Sequence, residues 1–286
     1  MRILSWNLWW RYGAWQERRR VIVAELRRVD PDICGLQEVW ADPEDNLAAS
    51  VAHELGLHYA YAPSPVPQKW QHRIGDATIG IGNAVLSRWP IIESDVRRLP
   101  AGDEPDEGRV GLYARIQSPS GSIPFFTTHL NTPWGQSALR QQQVRVIAEF
   151  VREKEGDFPP ILTGDFNAMP DYDEIRCLVG KTVPAAPGFV LLDAWSYARP
   201  LEPGWTWDRR NPHVAATLEP DARIDYVFVG LPGGDGRGHI LDAELIGCES
   251  VDGVWPSDHF GVLALLRGAV CSPTDTLIGE PEKGGF

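Results

Sequence analysis

The sequence predicts an α/β protein built from mixed β-sheets with helices on their outer faces. Strand-like apolar runs alternate with segments whose apolar residues recur at helical spacing, which is typical of α/β chains. A turn over 118–121 and the short connections between 80 and 116 also require antiparallel neighbours. Together these observations favour mixed sheets over a purely parallel sheet.

The first part of the chain is predicted to contain three strands and two helices. The first helix, over 15–28, sets apolar residues such as Leu26 against a run of arginines, and Asp30-Pro31 ends it. The segment 63–76 has three prolines among polar residues, so it is predicted as a loop. In chain order the predicted elements are strand 3–6, helix 15–28, strand 33–37, helix 45–55 and strand 80–87.

The rest of the chain is predicted to add five strands and one long helix. Residues 100–108 are rich in Asp, Glu, Gly and Pro and are predicted as a solvated acidic turn. Apolar residues such as Val144 and Ile147 form a helical stripe within 137–153. The predicted strands are 110–116, 123–130, 159–163, 224–229 and 262–266.

Residues suited to binding metal and phosphate occur from residue 6 to residue 259, so both ends of the chain must fold together. We therefore predict one catalytic domain over residues 1–267. Hydrophobic residues at 43% supply enough apolar material for its core. Residues 268–286 consist largely of Gly, Pro, Ser and charged residues and are predicted to be a flexible C-terminal tail.

The charge balance bears on the class of partner. With 27 Lys and Arg against 39 Asp and Glu, the formal net charge is −12. A general nucleic-acid binder is expected to carry a basic face, so this balance disfavours long DNA or RNA. A small basic patch beside a divalent ion could still bind nucleic acid. No obligate protein partner is inferred.

The sequence carries no sign of export or membrane insertion. No charged leader and apolar h-region precede the first motif, and no run of about 18 apolar residues occurs. The four cysteines form no C-x-x-C pair and are predicted to be reduced thiols. We therefore expect a cytoplasmic protein without a transmembrane segment.

Short polar motifs follow several apolar runs, at the position where each predicted strand ends. Side chains at the carboxyl ends of strands are held by the sheet yet open onto a crevice, so several of them can meet at one site. This pattern predicts an enzyme. The motifs are Trp6-Asn7, Gln37-Glu38, Thr128-His129-Leu130, Gly164-Asp165-Phe166-Asn167, Arg223-Ile224-Asp225-Tyr226 and Ser257-Asp258-His259.

In order and approximate spacing, these motifs resemble the endonuclease/exonuclease/phosphatase (DNase I-like) superfamily over residues 3–266. The resemblance implies a four-layer α/β/β/α sandwich, in which two packed mixed β-sheets carry outer helices. It also implies that the chain hydrolyses phosphate esters with a divalent metal, either Mg²⁺ or Mn²⁺, bound as one or two ions. Water is then expected to attack phosphorus directly, in line with the leaving oxygen.

Three residues are expected to bind the metal. Glu38 is the principal candidate, because a hard cation such as Mg²⁺ prefers oxygen donors and needs only one or two carboxylates. Asn7 would lie beside it as a neutral amide that binds metal or water, and Asp258 would be a second acidic group near the ion or a second ion. The alternatives are a turn role for Asn7 and an exposed carboxylate for Glu38.

The catalytic candidates are Asp165, Asn167, Asp225, His259 and His129. Asp165 and Asn167 alternate along a predicted extended segment, so their side chains should share one face, although an Asx-turn is the alternative. The resemblance implies that Asp165 aligns or deprotonates the attacking water and that Asn167 holds a phosphate oxygen. Asp225 should orient His259 and raise its basicity. His129 should bind a non-bridging oxygen and, when protonated, offset developing charge.

The sequence also suggests residues that contact substrate. The resemblance implies that Asn83 and Arg109 stand where family members place groups that bind or support a phosphate, although simple strand ends are the alternative. Asn131 and Trp134 are further candidates for binding substrate. Twelve tryptophans are present, and some of them could form an aromatic rim that accepts an apolar or planar group, with core packing as the alternative. The tryptophans near motif positions are Trp9, Trp10, Trp40, Trp134 and Trp255.

The predicted activity is that of a phosphodiesterase acting on small-molecule or lipid-type substrates. A metal-dependent nuclease is the alternative, which the net charge and the lack of a Lys/Arg-rich insertion disfavour. A catalytically inactive binding scaffold ranks last, because none of the expected acids or histidines is missing. The motifs indicate the reaction and leave the leaving group open.

Overall fold

Two six-stranded β-sheets stack face to face in the computed structural model, which describes residues 1–102 and 105–268. Each sheet contains parallel and antiparallel neighbours, and helices pack on its outer face. This arrangement confirms the predicted four-layer α/β/β/α sandwich. Of the tail predicted over 268–286, all but the first residue lies outside the described residues.

The elements within the described ranges follow one another in an order close to the predicted one. The strands are β1 (Arg2–Asn7), β2 (Ile33–Ala41), β3 (His58–Pro63), β4 (Gly80–Ser87), β5 (Ile91–Arg98), β6 (Val110–Ser118), β7 (Gly121–His129), β8 (Ile161–Asp165), β9 (Leu191–Asp193), β10 (Asp225–Gly230), β11 (Ile240–Ile246) and β12 (Gly261–Leu266). The α-helices are α1 (Trp15–Val29), α2 (Leu47–Leu55), α3 (Gln68–Ile74), α4 (Ser137–Arg152), α5 (Asp173–Leu178), α6 (Ala194–Ala198) and α7 (Pro212–Ala215).

The first sheet combines both ends of the chain, and the second contains the middle. The strand order is β11-β12-β1-β2-β4-β3 in the first sheet and β5-β6-β7-β8-β10-β9 in the second. Two parallel pairs, β1 with β2 and β7 with β8, are connected through the helices α1 and α4. Because parallel neighbours end at the same edge of a sheet, each pair delivers its carboxyl-terminal residues to one place.

Apolar side chains fill the three interfaces between the four layers. Leu26 of α1 packs on the outer face of the first sheet, and Ile147 of α4 packs on the outer face of the second. Between the sheets, Ile33 and Val227 belong to one continuous buried cluster. These buried faces match the apolar stripes that predict the helices and strands.

Local signals explain where several elements begin and end. The side chain of Asn46 accepts hydrogen bonds from the backbone N–H groups of Ala48 and Ala49, at 2.8 and 3.2 Å, and so caps the start of α2. Gly56 ends that helix with a left-handed φ of 68°. Asp30 takes a similar conformation at the end of α1, immediately before the proline predicted to stop it.

The structure differs from the predictions mainly between the motifs. The segment 63–76, predicted as a loop, contains the helix α3. Glu107, within the predicted solvated turn, is buried because it pairs with Arg109 and Lys69. The strands β3, β5, β9 and β11 are not predicted as strands. In β5, six of eight residues are exposed, so an edge strand forms without the apolar alternation that would reveal it.

Two further predictions concern thiols and membranes. Cys34, Cys177 and Cys248 carry free thiols, as expected, and Cys271 lies outside the described residues. Across residues 1–102 and 105–268, none of the helices combines the length and apolar character that crossing a membrane requires.

Candidate active site

A pocket of about 340 Å³ opens at the edge where strands of both sheets deliver the motif residues. The sheet register explains this convergence. Asn7 pairs with Gln37 across β1 and β2, and Asp165 lies between His129 on one side and Asp225 on the other. The predicted catalytic and metal residues that line the pocket are Glu38, His129, Asp165, Asn167, Asp258 and His259.

Glu38 lies at an irregularity in β2, where the register with β4 shifts between Leu36 and Val39. Its φ of 53° lies in the left-handed region, which is unfavourable for a residue with a Cβ and is often found at functional sites. One carboxylate oxygen, Oε2, is buried without a hydrogen-bond partner. The strand therefore bends to present Glu38 to the pocket, where its carboxylate lacks a protein partner.

The charge of Glu38 is poorly compensated by the protein alone. Burial, and then the nearby Asp258 carboxylate, raise the pKa of Glu38 to about 7, although His259 and Arg109 oppose the increase. Burial also raises the pKa of Asp258. A half-buried acid with one unpaired oxygen and a buried acid beside it destabilise each other in their ionised forms, and such a donor set suits a hard divalent cation. Glu38 and Asp258 therefore fit such an ion.

Asn7 makes two hydrogen bonds within the site. Its Nδ2 atom donates to Asp165 Oδ2 at 3.0 Å, and its Oδ1 atom accepts from the backbone N–H of Trp9 at 3.0 Å. These contacts make Asn7 a partner of the catalytic candidate Asp165, and a role in binding metal stays a prediction.

Two histidines flank Asp165 in different electrostatic environments. His129 Nε2 lies 3.3 Å from Asp165 Oδ2, and His259 Nε2 lies 3.8 Å from the same oxygen. His259 Nδ1 is 2.9 Å from Asp225 Oδ2, which is the pairing predicted from the motifs. Asp165, Asp225 and His259 each place one ligand atom within 4.8 Å of the others, so this group could also hold a cation.

The pKa values of the two imidazoles shift in opposite directions. Burial alone would lower the pKa of His259, but the carboxylates of Asp225 and Asp165 outweigh burial and raise the pKa well above its ordinary value. Burial, followed by the Arg109 cation, lowers the pKa of His129 well below its ordinary value. The surroundings therefore favour the protonated form of His259 and the neutral form of His129, which can donate an N–H without carrying charge.

Asp165 and Asn167 reach the pocket by a different backbone path from the predicted one. Asn167 has a left-handed φ of 49°, and its N–H donates to Asp165 Oδ1 at 2.9 Å. This is the Asx-turn that was the alternative, so the predicted extended segment is wrong beyond Asp165. Both side chains nevertheless line the pocket.

Three of the four predicted substrate-binding residues do not line this pocket, although Asn83 and Arg109 line a small adjoining cavity of about 20 Å³ that shares Glu38 and His129 with it. Asn83 donates to the carbonyl of Val110 at 3.0 Å, and Arg109 pairs with Glu107 at 2.7 Å. Asn131 is buried and hydrogen-bonds Gln136 and Gln143. Trp134 does line the pocket and remains 44% exposed, so it is the one member of this set placed to touch a ligand there.

Two of the five tryptophans predicted for the aromatic rim line the pocket, together with two that were not predicted, Trp70 and Trp207. Trp9 and Trp134 line the pocket. Trp10 and Trp40 are buried in the core, and Trp255 stacks near Phe260, so the rim prediction is wrong for these three. The pocket residues that the sequence does not reveal are Tyr12, Lys69, Trp70, Arg73, Thr132, Pro133, Met169, Tyr172, Trp207, Glu219 and Ala222. The Trp70 and Ile74 spacing, followed by Gly75, was the available signal for α3.

Arg18 joins two loops that carry site residues. Its guanidinium is buried and donates to five backbone carbonyls, all at 2.8–3.0 Å. Four acceptors belong to the loop after β1, at Leu8, Trp9, Trp10 and Tyr12, and the fifth is Pro256, next to the Ser257-Asp258-His259 motif. Burial lowers the pKa of Arg18 to about 10, so it stays charged at neutral pH.

Comparisons with known proteins identify the family of the chain. The family model described as the Endonuclease/Exonuclease/phosphatase family matches residues 4–259. Protein angel of Drosophila melanogaster is 30% identical over 176 residues, which cover 59% of this chain and 48% of that protein. Inositol phosphosphingolipids phospholipase C of Schizosaccharomyces pombe is 30% identical over 190 residues, covering 59% of this chain and 42% of that protein.

A third relative, Tyrosyl-DNA phosphodiesterase 2 of Bos taurus, is 28% identical over 255 residues, covering 87% of this chain and 63% of that protein. The chain thus spans about half the length of the curated relatives it matches.

Solved structures show the same fold. D. rerio TDP2 complexed with single strand DNA product gives a TM-score of 0.72 at 22% identity, covering 93% of this chain and 98% of that chain. The human Nocturnin catalytic domain with bound sulfate anion gives a TM-score of 0.69 at 20% identity, with 93% of each chain covered. At these identities the likeness concerns the fold alone.

Proposed function

Because the chain belongs to the Endonuclease/Exonuclease/phosphatase family, we propose that it is a divalent-metal-dependent hydrolase of phosphate esters, and more closely a phosphodiesterase. The observation that carries the proposal is the convergence of Glu38, Asp165, Asp258 and two histidines on one pocket. Such a cluster is costly to bury without a cation and an anionic ligand. A catalytically inactive scaffold would carry this cost without using the cluster.

In the proposed site, Glu38 and Asp258 hold the cation, with Asn7 beside them. When bound, a divalent cation supplies positive charge that stabilises the phosphoryl oxygens in the transition state. Its identity as Mg²⁺ or Mn²⁺, and its number as one or two ions, belong to the proposal. The second group of ligand atoms, on Asp165, Asp225 and His259, would hold a further ion only with His259 deprotonated, because an imidazolium has no free lone pair.

The protein side chains carry out the proton and charge handling. Asp165 accepts a proton from, or aligns, the water that attacks phosphorus in line with the leaving oxygen. The P–O bond to the leaving group breaks as the bond from the water oxygen forms, the leaving oxygen departs as an anion that takes a proton from solvent, and no covalent enzyme intermediate arises. His259, charged and held by Asp225, and neutral His129 donate hydrogen bonds to phosphoryl oxygens, as does Asn167.

The pocket supports a small-molecule or lipid-type phosphodiester as the substrate. Its volume of about 340 Å³ suits a single ester group with its substituents. Aromatic side chains, including Trp9, Trp134 and Tyr172, supply apolar contact area. The formal charge of −12 disfavours a long polyanion.

A nuclease is the second candidate, and two observations support it. The match to Tyrosyl-DNA phosphodiesterase 2 of Bos taurus covers 87% of this chain. Lys69 and Arg73 of α3 also line the pocket and provide positive charge for a phosphate backbone, although Lys69 pairs with Glu107.

A substrate panel tests both candidates. The purified chain is incubated with bis(4-nitrophenyl) phosphate, a lysophospholipid or sphingophospholipid diester, a single-stranded oligonucleotide and plasmid, each with Mg²⁺, Mn²⁺ or EDTA. We expect metal-dependent release of product from the small or lipid diesters and little from plasmid. Efficient cleavage of DNA at low enzyme concentration would favour the nuclease, and no turnover of any ester would refute the proposed hydrolase.

Metal binding is expected to strengthen as the pH rises through about 7, the pKa of Glu38. The pKa of Glu38 in the folded chain lies above its ordinary value of 4.5. Without a cation, the contribution of Glu38 to stability is therefore fully present at a pH below 4.5, and it is lost as the pH rises through about 7, the pKa in the folded chain. A cation bound to the ionised carboxylate offsets this loss. The Tm increase caused by Mn²⁺ should be larger at pH 8 than at pH 6, with an apparent Kd about tenfold lower.

Calorimetry and thermal unfolding at the two pH values measure this effect. Glu38→Gln should remove most of the metal-dependent Tm increase and its pH dependence. Glu44→Gln, which changes an exposed carboxylate outside the pocket, should behave as the wild type does. Equal metal affinity at both pH values in the wild type would contradict the prediction.

A further inference from the structure

The pocket wall beside His259 contains an indole N–H that no protein atom accepts. Trp207 lines the pocket, and its Nε1 atom is buried without a hydrogen-bond partner. A buried donor without an acceptor is unfavourable, because the group has lost its hydrogen bond to water and gained none. Because Nε1 is closed to solvent, the indole must turn slightly towards the pocket for a ligand acceptor to reach it and remove this cost.

The backbone around Trp207 is held in place by the segments that deliver two catalytic candidates. Trp207 N–H donates to the carbonyl of Ala222 at 2.9 Å, and the reverse bond is 2.8 Å. The neighbouring residue Thr206 accepts at Oγ1 from the N–H of Asp225 at 3.2 Å, and its carbonyl accepts from Phe260 N–H at 2.8 Å. The backbone of Trp207 therefore has a defined position relative to Asp225 and to His259, which precedes Phe260.

The indole also packs directly on the catalytic imidazole. The ring centroids of Trp207 and His259 are 5.0 Å apart, with an interplanar angle of 62°. The same imidazole points its Nε2 atom towards Asp165, at 3.8 Å. Trp207 thus lies at the flank of the place where the reacting phosphoryl group is expected.

We propose that the Trp207 Nε1–H donates a hydrogen bond to a non-bridging phosphoryl oxygen of the substrate. This inference rests on the proposed phosphodiesterase function and adds a donor that none of the sequence motifs contains. A neutral donor is suited to a pocket that already contains several carboxylates, because it binds an anion without forming an ion pair with those acids. Charge on the non-bridging oxygens during displacement would strengthen the bond.

The test is Trp207→Phe, which keeps an aromatic ring against His259 and removes the N–H. We expect kcat/KM for bis(4-nitrophenyl) phosphate to fall by roughly 10- to 100-fold. This loss is equal to or somewhat smaller than the usual effect of removing one hydrogen-bond donor to the transition state. Trp205→Phe is the matched control, because Trp205 is 41% exposed and lies outside the pocket lining. That variant should keep the wild-type kcat/KM.

A phosphorothioate version of the same diester separates a direct contact from a packing role. Sulfur is a weaker hydrogen-bond acceptor than oxygen, so the wild type should prefer the oxygen ester, and Trp207→Phe should show a smaller preference. This ratio compares two substrates in one preparation, so partial unfolding of the variant does not alter it. The proposal would be overturned if Trp207→Phe had the same kcat/KM as the wild type, or if it preferred the oxygen ester as strongly as the wild type does.

Phosphate binding distinguishes failure of this inference from failure of the proposed function. Inorganic phosphate with Mn²⁺ should bind several-fold more weakly to Trp207→Phe than to the wild type or to Trp205→Phe, as measured by calorimetry. Suppose that the wild type hydrolyses diesters and that both variants match it in turnover and in phosphate affinity. That result refutes the role of Trp207 and leaves the proposed function standing. A wild type that neither hydrolyses a diester nor binds phosphate refutes the phosphodiesterase, and the role of Trp207 with it.

Discussion

Asp165→Asn is expected to lower kcat by roughly 10³-fold, the largest effect among single substitutions in the pocket. Asp165 lies at the centre of the site, where its Oδ2 accepts from Asn7 at 3.0 Å and lies 3.3 Å from His129 and 3.8 Å from His259. An amide has nearly the same shape but cannot accept the proton of an attacking water. Steady-state kinetics on the best diester of the substrate panel measure the loss.

The fold of this variant should be preserved, because Asn can still accept the N–H of Asn167 through its own Oδ1. Thermal unfolding with and without Mn²⁺ checks that point. Asp32→Asn is the control, since Asp32 lies at the start of β2, away from the pocket, where it pairs with Arg88. Wild-type turnover by a folded Asp165→Asn enzyme would exclude Asp165 as the base or the positioning group for water.

Arg18→Met is expected to lower the free energy of unfolding by about 3–5 kcal/mol, because several buried carbonyls lose their donor at once. The five carbonyls that Arg18 binds belong to the loop after β1 and to Pro256. Those segments carry or adjoin Asn7, Asp258 and His259. We therefore expect metal affinity to fall together with stability, and urea unfolding and calorimetry measure the two effects.

Two other variants define the cause of this loss. Arg18→Lys keeps the charge with fewer donors and no planar fork, so its stability should be intermediate. Arg20→Met removes an exposed arginine of the same helix and should change the free energy of unfolding by no more than about 0.5 kcal/mol. If Arg18→Met unfolds at the urea concentration of the wild type, the five hydrogen bonds contribute little and the loops are held by other contacts.

The general architecture and the six catalytic and metal-binding candidates that line the pocket could be predicted from the sequence. Buried strands produce strong apolar runs, and a polar motif after such a run marks the carboxyl end of a strand, as at Asp165 and His129. The family resemblance then supplied the stacking of two sheets, which is confirmed. The assigned roles of these residues stay predictions that the variants above test.

The parts that could not be predicted depend on contacts distant in sequence. Glu107 lies in an acidic segment that predicts exposure to solvent, yet it is buried because Arg109 and Lys69 pair with it. Burial alone would raise the pKa of Glu107, but these cations outweigh burial and lower the pKa to about 2. The helix α3 forms in a proline-rich segment because Trp70 packs into the core beneath it. The roles of Asn83 and Asn131 also depend on distant contacts. Asn83 donates to the carbonyl of Val110, and Asn131 accepts from the side chain of Gln143.

The order of strands in the first sheet has a consequence for how the pocket is assembled. The strand β1 lies between β2, which follows it closely in the chain, and β12, the last strand among the described residues. During synthesis, β1 therefore keeps one edge unpaired until β12 has emerged, and His259 lies immediately before that strand. Nascent chains truncated before β12 should thus lack a completed pocket and be inert towards phosphate esters.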